Sequence, residues 1–228
     1  MLKKITPLYL IVLCFSFCYN CSSDSDSNDD ETDSNEYIYF MSGKIDGESF
    51  IYGQKTSATE LDYTSGLSVT LPAVCAYNPD TGGFNYSPFV YPNFDDESRP
   101  TMGIDFVRFH LCTDDSSQLE TFNDKFPTTS YEFADSDLAS SGLVGKIGLT
   151  YSPNAQDGPY YSTYGGDQSN STFEITSSTA FNTYFADTLI SAGQIVEGNF
   201  SATFYNSEDP SDIIVITDGQ FKMIPSLD

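Results

Sequence analysis

Apolar and polar side chains alternate with a period of two through most of the chain from Tyr37 onward, in short runs separated by turn residues, and this pattern predicts an antiparallel all-β domain. Leu67, Val69, Leu71 and Ala73 share one strand parity with Cys75. Met102 to Cys112 reads as a further strand. Leu143, Gly145, Ile147, Leu149 and Tyr151 form one face of a strand whose other face carries Lys146 and Thr150. Phe173 and Ile175 alternate with Thr172, Glu174 and Thr176. Val196, Gly198, Phe200, Ala202 and Phe204 alternate with Glu197, Asn199, Ser201 and Thr203, and after a polar turn Ile213, Val215, Phe221 and Met223 are expected on one side of a partner strand. Those two runs read as a hairpin.

Two segments carry helical spacing instead. Ser117-Gln-Leu-Glu120 matches a capping box, Leu119, Phe122 and Phe126 follow at helical intervals, and Pro127 ends the run. Phe181, Tyr184, Phe185 and Leu189 suggest a second helix. About eight strands in this length arrange as a sandwich or a closed barrel; uneven strands and glycine spacing favour a single antiparallel β-sandwich with one or two short helices over a β-barrel.

The N-terminus is organised differently. Two lysines precede a mostly apolar segment ending near Phe17, which reads as a secretory signal and is too short for a bilayer span of about 20 residues. Then come Cys18 and Cys21, and residues 22–36 contain seven acids and no apolar side chain. Nothing there offsets the entropy of ordering, so a disordered, self-repelling tether is expected. Its Asp-x-Asp-x-Asn run lacks the glycine and glutamate that complete a calcium loop. This N-terminus resembles the lipoprotein signals of Bacteroidota, in which an acidic, Ser-rich run after the lipidated cysteine acts as a surface-export signal. The resemblance implies cleavage after residue 20, lipidation at Cys21 with Cys18 as the alternative, and a protein held on the outer membrane, facing the cell exterior, by acyl chains alone. The domain organisation that follows is signal peptide 1–20, anchor and tether 21–36, and β-domain 37–228.

A second resemblance rests on the ends of that domain. Phe40-Met-Ser-Gly-Lys-Ile-Asp-Gly-Glu-Ser-Phe50, Val196-Glu-Gly-Asn-Phe-Ser-Ala-Thr-Phe204 and Ile216-Thr-Asp-Gly-Gln-Phe-Lys-Met223 resemble small Bacteroidota surface lipoproteins of uncharacterised function, which open on an Ile-Asp-Gly-x-x-Phe strand and close on strands carrying Gly-x-Phe. It implies an extracellular β-domain and brings no catalytic residue with it.

Charge narrows the partners. With 33 acids against nine Lys and Arg the net charge is −24, which repels nucleic acids and anionic headgroups. Of the five cysteines only Cys75 and Cys112 fall in the domain; in an exported protein they form a disulfide or stay as two buried thiols, and spacing does not choose between these.

Catalytic signatures are sparse. His110 is the sole histidine and shares a strand face with Phe106 and Arg108, which reads as a packed or surface-facing histidine rather than a catalytic base. There is no Gly-x-Ser-x-Gly elbow, phosphate loop, dinucleotide fingerprint or zinc spacing, so neither cofactor nor metal is expected. Carboxylates such as Asp95, Asp96 and Glu97 lie in a polar loop, and a glycoside hydrolase would need only a pair that meets in space. Two aromatic stretches, Tyr77–Phe94 and Tyr151–Asp167, mix Tyr with Gly, Pro, Asn and Asp. Tyr gives contact area with a polar tip at low entropic cost, which makes Tyr86, Tyr91, Tyr160, Tyr161 and Tyr164 candidates for binding a glycan or a protein. The competing reading is that these rings fold back over the ends of the sandwich, and the absence of Trp speaks against a dedicated glycan platform. Asp187-Thr188-Leu189 resembles a Bacteroidota O-glycosylation sequon. The expectation is therefore a non-catalytic binding module; the alternatives are a barrel-type carrier of lipid or a small ligand, and a carboxylate-dependent glycoside hydrolase.

Overall fold

The computed structural model describes residues 36–70, 83–92, 98–114, 117–135 and 145–228. Cys21 with its acidic run, Leu71, Ala73 and Cys75, Asp95 to Glu97, and Leu143 lie outside the described residues.

Twelve strands form one large sheet, all antiparallel but for one short pair: β1 (Tyr37–Ile45), β2 (Glu48–Lys55), β3 (Tyr63–Thr70), β4 (Gly83–Pro92), β5 (Thr101–Leu111), β6 (Glu132–Phe133), β7 (Lys146–Ser152), β8 (Tyr161–Ser162), β9 (Thr172–Phe185), β10 (Thr188–Asn206), β11 (Ile213–Met223) and β12 (Ser226–Leu227). The order is β2-β1-β11-β10-β8-β7-β5-β4-β3, with β6 on β7 and with β9 and β12 on β10. The two ends of that order turn back on each other, so β1 and β11 pack against β4 and β2 lies beside β3. The sheet does not close into a barrel. Side chains, not a ladder, bridge β1 and β2 to β3 and its approach: Gln54 on β2 accepts from Asp62 N at 2.8 Å and donates to Glu60 O at 3.1 Å, and Tyr39 on β1 donates to Tyr63 O at 2.7 Å. The fold is all-β and sandwich-like rather than a closed barrel.

Aromatic rings fill the space between the facing strands. Phe106 on β5 meets Phe126 edge-on at 5.2 Å, Tyr131 at 5.9 Å and Phe173 at 6.3 Å, and Phe173 stacks on Phe221 at 5.2 Å. Ile147, Leu149, Tyr151, Ile175, Val196, Phe200, Ala202 and Phe204 are buried on the faces that alternation predicts. Ser117 caps a single helical turn, α1 (Gln118–Thr121), by the reciprocal capping-box bonds, and a 3-10 turn, Phe122–Lys125, carries Phe122 and Phe126 into the core.

Two expectations are corrected. Phe221 and Met223 are buried as expected, whereas Ile213 and Val215 stand 49% and 40% exposed on the other face. A bulge near Thr217 and Asp218, where Asp218 takes φ +52°, shifts the register between Phe200↔Gly219 and Ala202↔Ile216 and reverses the parity, burying Ile216. The second helix is also absent: Phe181, Tyr184 and Phe185 lie on β9 and Leu189 on β10. Ala186 and Asp187, at φ +47° and +66°, make the two-residue turn that closes this hairpin, and Ser, Thr and aromatic side chains along β9 suit a ladder better than a helix.

His110 is a packed residue. It is 5% exposed, lies beside the Phe84 ring, and its Nδ1 sits 3.3 Å from Thr121 Oγ1 and 3.4 Å from Asp114 Oδ2. Burial holds its pKa below the ordinary imidazole value; Lys125 pushes the same way and Asp114 opposes. The unfolded chain therefore takes up the proton first, so stability falls as pH drops through about 6.5 and continues to fall until the folded-state pKa is passed. Urea midpoints at pH 7.5 and 5 should show this loss, and His110→Gln should flatten it.

Candidate polar cleft beside the second tyrosine-rich loop

The two tyrosine-rich stretches meet different fates. Much of the first is strand β4, whose residue Tyr86 is wholly buried against Phe122 and Phe126. Its hydroxyl has no hydrogen-bond partner among the described residues, and burial pushes its pKa up to about 12. Tyr161 is 7% exposed, with its hydroxyl donating to Asp212 at 2.8 Å. Tyr86 and Tyr161 are thus corrected from surface candidates to core residues: strand parity turns Tyr86 inward, and Tyr161 is covered because the short β8 lies between β7 and β10. Tyr91 is partly buried on β4, paired with Thr64 of β3, and Tyr160 is the most exposed of the five at 49%. The structure does not bring the five tyrosines into one patch.

The second stretch does build a site. Tyr164 packs the hydroxyl end of its ring over Gly148, where any Cβ would overlap it, and donates to Asp105 Oδ2 at 2.9 Å. Farther on, Tyr205 stacks over Gly166 and donates to Asp167 O at 3.0 Å. Gln168 ties the loop to the sheet by donating to Thr163 O at 3.1 Å and Thr203 O at 2.7 Å, while accepting from Ser171 at 2.6 Å. The Gly165 N–H reaches Asp135 O at 3.0 Å. These bonds hold the loop against residues 131–135 and leave between them a cleft of about 410 Å³ lined by Glu132, Asp135, Asp167, Gln168, Ser169 and Ser171 among others.

The cleft is polar and rigidly backed, and its charged lining is acidic. Asp167 accepts from the Ser169 backbone, which holds its pKa below the usual carboxylate value and keeps it a hydrogen-bond acceptor. A glycosidase acid needs its pKa raised, whereas that of Asp167 in this cleft is lowered. No group of three metal-ligating side chains occurs among the described residues. Sequence reasoning found the loop from its tyrosines but missed Asp135, Gln168 and Ser171, because nothing local marks residues that meet only when β6 and the loop before β9 are brought together.

Cys112, just after β5, is disulfide-bonded, and its partner lies outside the described residues. Exposed aromatic surface sits elsewhere, at the tip of the β9–β10 hairpin, where Tyr184 and Phe185 are 61% and 72% exposed. No family model matches this chain, and neither does any curated protein or solved structure compared with it.

Proposed function

We propose that the protein is a lipid-anchored module of the outer-membrane surface that binds a neutral glycan without catalysis. The anchor rests on Cys21 and the acidic run behind a signal-like segment. The binding reading rests on one observation: a loop bonded to the sheet at both ends backs a cleft whose walls offer carboxylate and amide acceptors. Sugar hydroxyls are donors in search of such acceptors, and a volume of this size suits one or two rings. The acidic lining disfavours charged acidic sugars, so selectivity for neutral oligosaccharides follows.

The test is calorimetric titration with panels of neutral and acidic oligosaccharides. The double variant Asp135→Asn with Asp167→Asn should weaken binding of a neutral ligand at least about ten-fold, since two charge-assisted hydrogen bonds become ordinary ones. Equal binding by the double variant, or preference for acidic sugars, would place recognition elsewhere.

A further inference from the structure

The β9–β10 hairpin carries apolar side chains that the core does not use. Phe181, Tyr184, Phe185 and Ile190 are 42%, 61%, 72% and 46% exposed. Across Ile175–Val196 the only charged side chain is Asp187, in a chain with 33 acids. A projecting two-stranded ribbon is marginally stable in water, so aromatics on both faces of its tip need a reason outside the fold.

Strand register says where that tip lies. Phe40 on β1 pairs with Lys222 on β11, and Lys222 pairs with Glu197 on β10, so the start of β1 at Tyr37 lies toward the same end of the sheet as the hairpin tip. The contacts Gln194 N to Pro225 O and Ala192↔Leu227 place β12 at that end as well. Beyond Ala192, where β12 pairs and Asn123 bonds to Asn182, the hairpin runs on to Asp187 as two strands alone, roughly 17 Å at about 3.3 Å per residue. Residues 21–36 span at most about 55 Å when fully extended. An anchor at Cys21 therefore leaves the tip within reach of the membrane that holds it.

We propose that Tyr184, Phe185 and Ile190 dock in the interfacial layer of that bilayer and orient the domain on it. This rests on the Cys21 anchor of the preceding reading. Tyr and Phe suit the headgroup boundary, where an apolar ring and a hydroxyl are both satisfied. The near absence of charge at the tip removes the cost of dehydrating carboxylates, and the −24 charge elsewhere favours zwitterionic over anionic lipid. The same charge opposes a second copy as the occupant. Orientation follows from the fold: the cleft loop bonds near Thr203 and Tyr205, at the far end of β10 from the tip, so docking turns the cleft away from the membrane.

The chain contains no Trp, so a substitution supplies a single fluorescent reporter. Phe185→Trp and, at the far end, Ile213→Trp are purified from their native membrane and reconstituted in phosphatidylcholine vesicles with acyl-chain-brominated lipid. The expected result is a blue-shifted emission at position 185 that loses most of its intensity to the brominated lipid, with position 213 unquenched. Lipidated protein in which neither position is quenched overturns the docking and leaves the anchor standing. Quenching at both overturns the orientation, and a blue shift at 185 that grows with protein concentration without vesicles assigns the tip to a second copy. Failure of the anchor shows separately, as a missing lipid mass, and vesicles mixed with the unlipidated chain then decide the tip alone, quenching at 185 supporting it and none overturning it.

Discussion

Replacing Phe106 by Ala is expected to destabilise the domain by about 3–5 kcal/mol, the range for emptying a buried aromatic site. Phe106 is wholly buried and meets Phe126, Tyr131 and Phe173, side chains from three different segments that the sandwich must hold together. The surrounding rings are themselves locked edge to face, which limits collapse into the cavity and pushes the cost toward the upper end. For a domain of this size that corresponds to a fall in melting temperature of about 10–15 °C. Urea denaturation should show a lower midpoint with an unchanged slope. Phe185→Ala, at the exposed tip, is the matched control and should stay within about 0.5 kcal/mol of the parent. A Phe106→Ala protein as stable as that control would mean the aromatic cluster is not the core.

The second large effect is at Cys112. Removing a native disulfide from an exported domain costs about 2–5 kcal/mol, mainly by releasing the unfolded chain. Cys112→Ser should lose that amount, and reduction of the parent protein should reproduce it. The bond sits where β5 ends against β4, since Leu111 pairs with Gly83 at the start of that strand. With Cys75 as the partner, Cys75→Ser would match Cys112→Ser and the double variant would add nothing. A double variant that costs the sum of the two excludes that pairing.

Strand alternation was the most legible feature of this chain, and it located the buried faces of β7, β9 and β10. It failed where parity itself changes. The bulge at Asp218 reverses the facing of β11, and no residue near Ile213 announces that, because the left-handed position is taken by an aspartate rather than a glycine. Helical spacing succeeded at Ser117, where a capping box and a following proline punctuate it, and failed at Phe181–Leu189, where the same spacing arises by coincidence across a hairpin turn. The tyrosines show the larger limit. Tyr86 and Tyr160 occur in similar Pro- and Gly-rich company, yet one is core and the other is surface, because a ring's exposure is decided by the strand opposite it. The cleft was invisible for the same reason: Asp135 and Asp167 are far apart in sequence and meet only through the packing of β6 beside β7 and the bond from Gly165 to Asp135.

The central claim is that this β-domain works at the cell surface on a lipid anchor at Cys21. The most direct test is the intact mass of the protein extracted from its native membrane, parent against Cys21→Ala, together with protease shaving of whole cells. A lipid-sized mass increment that disappears in the variant, with the parent removed by shaving, is the expected result. An unmodified mass in the soluble fraction, or a parent protected from protease on intact cells, would contradict it.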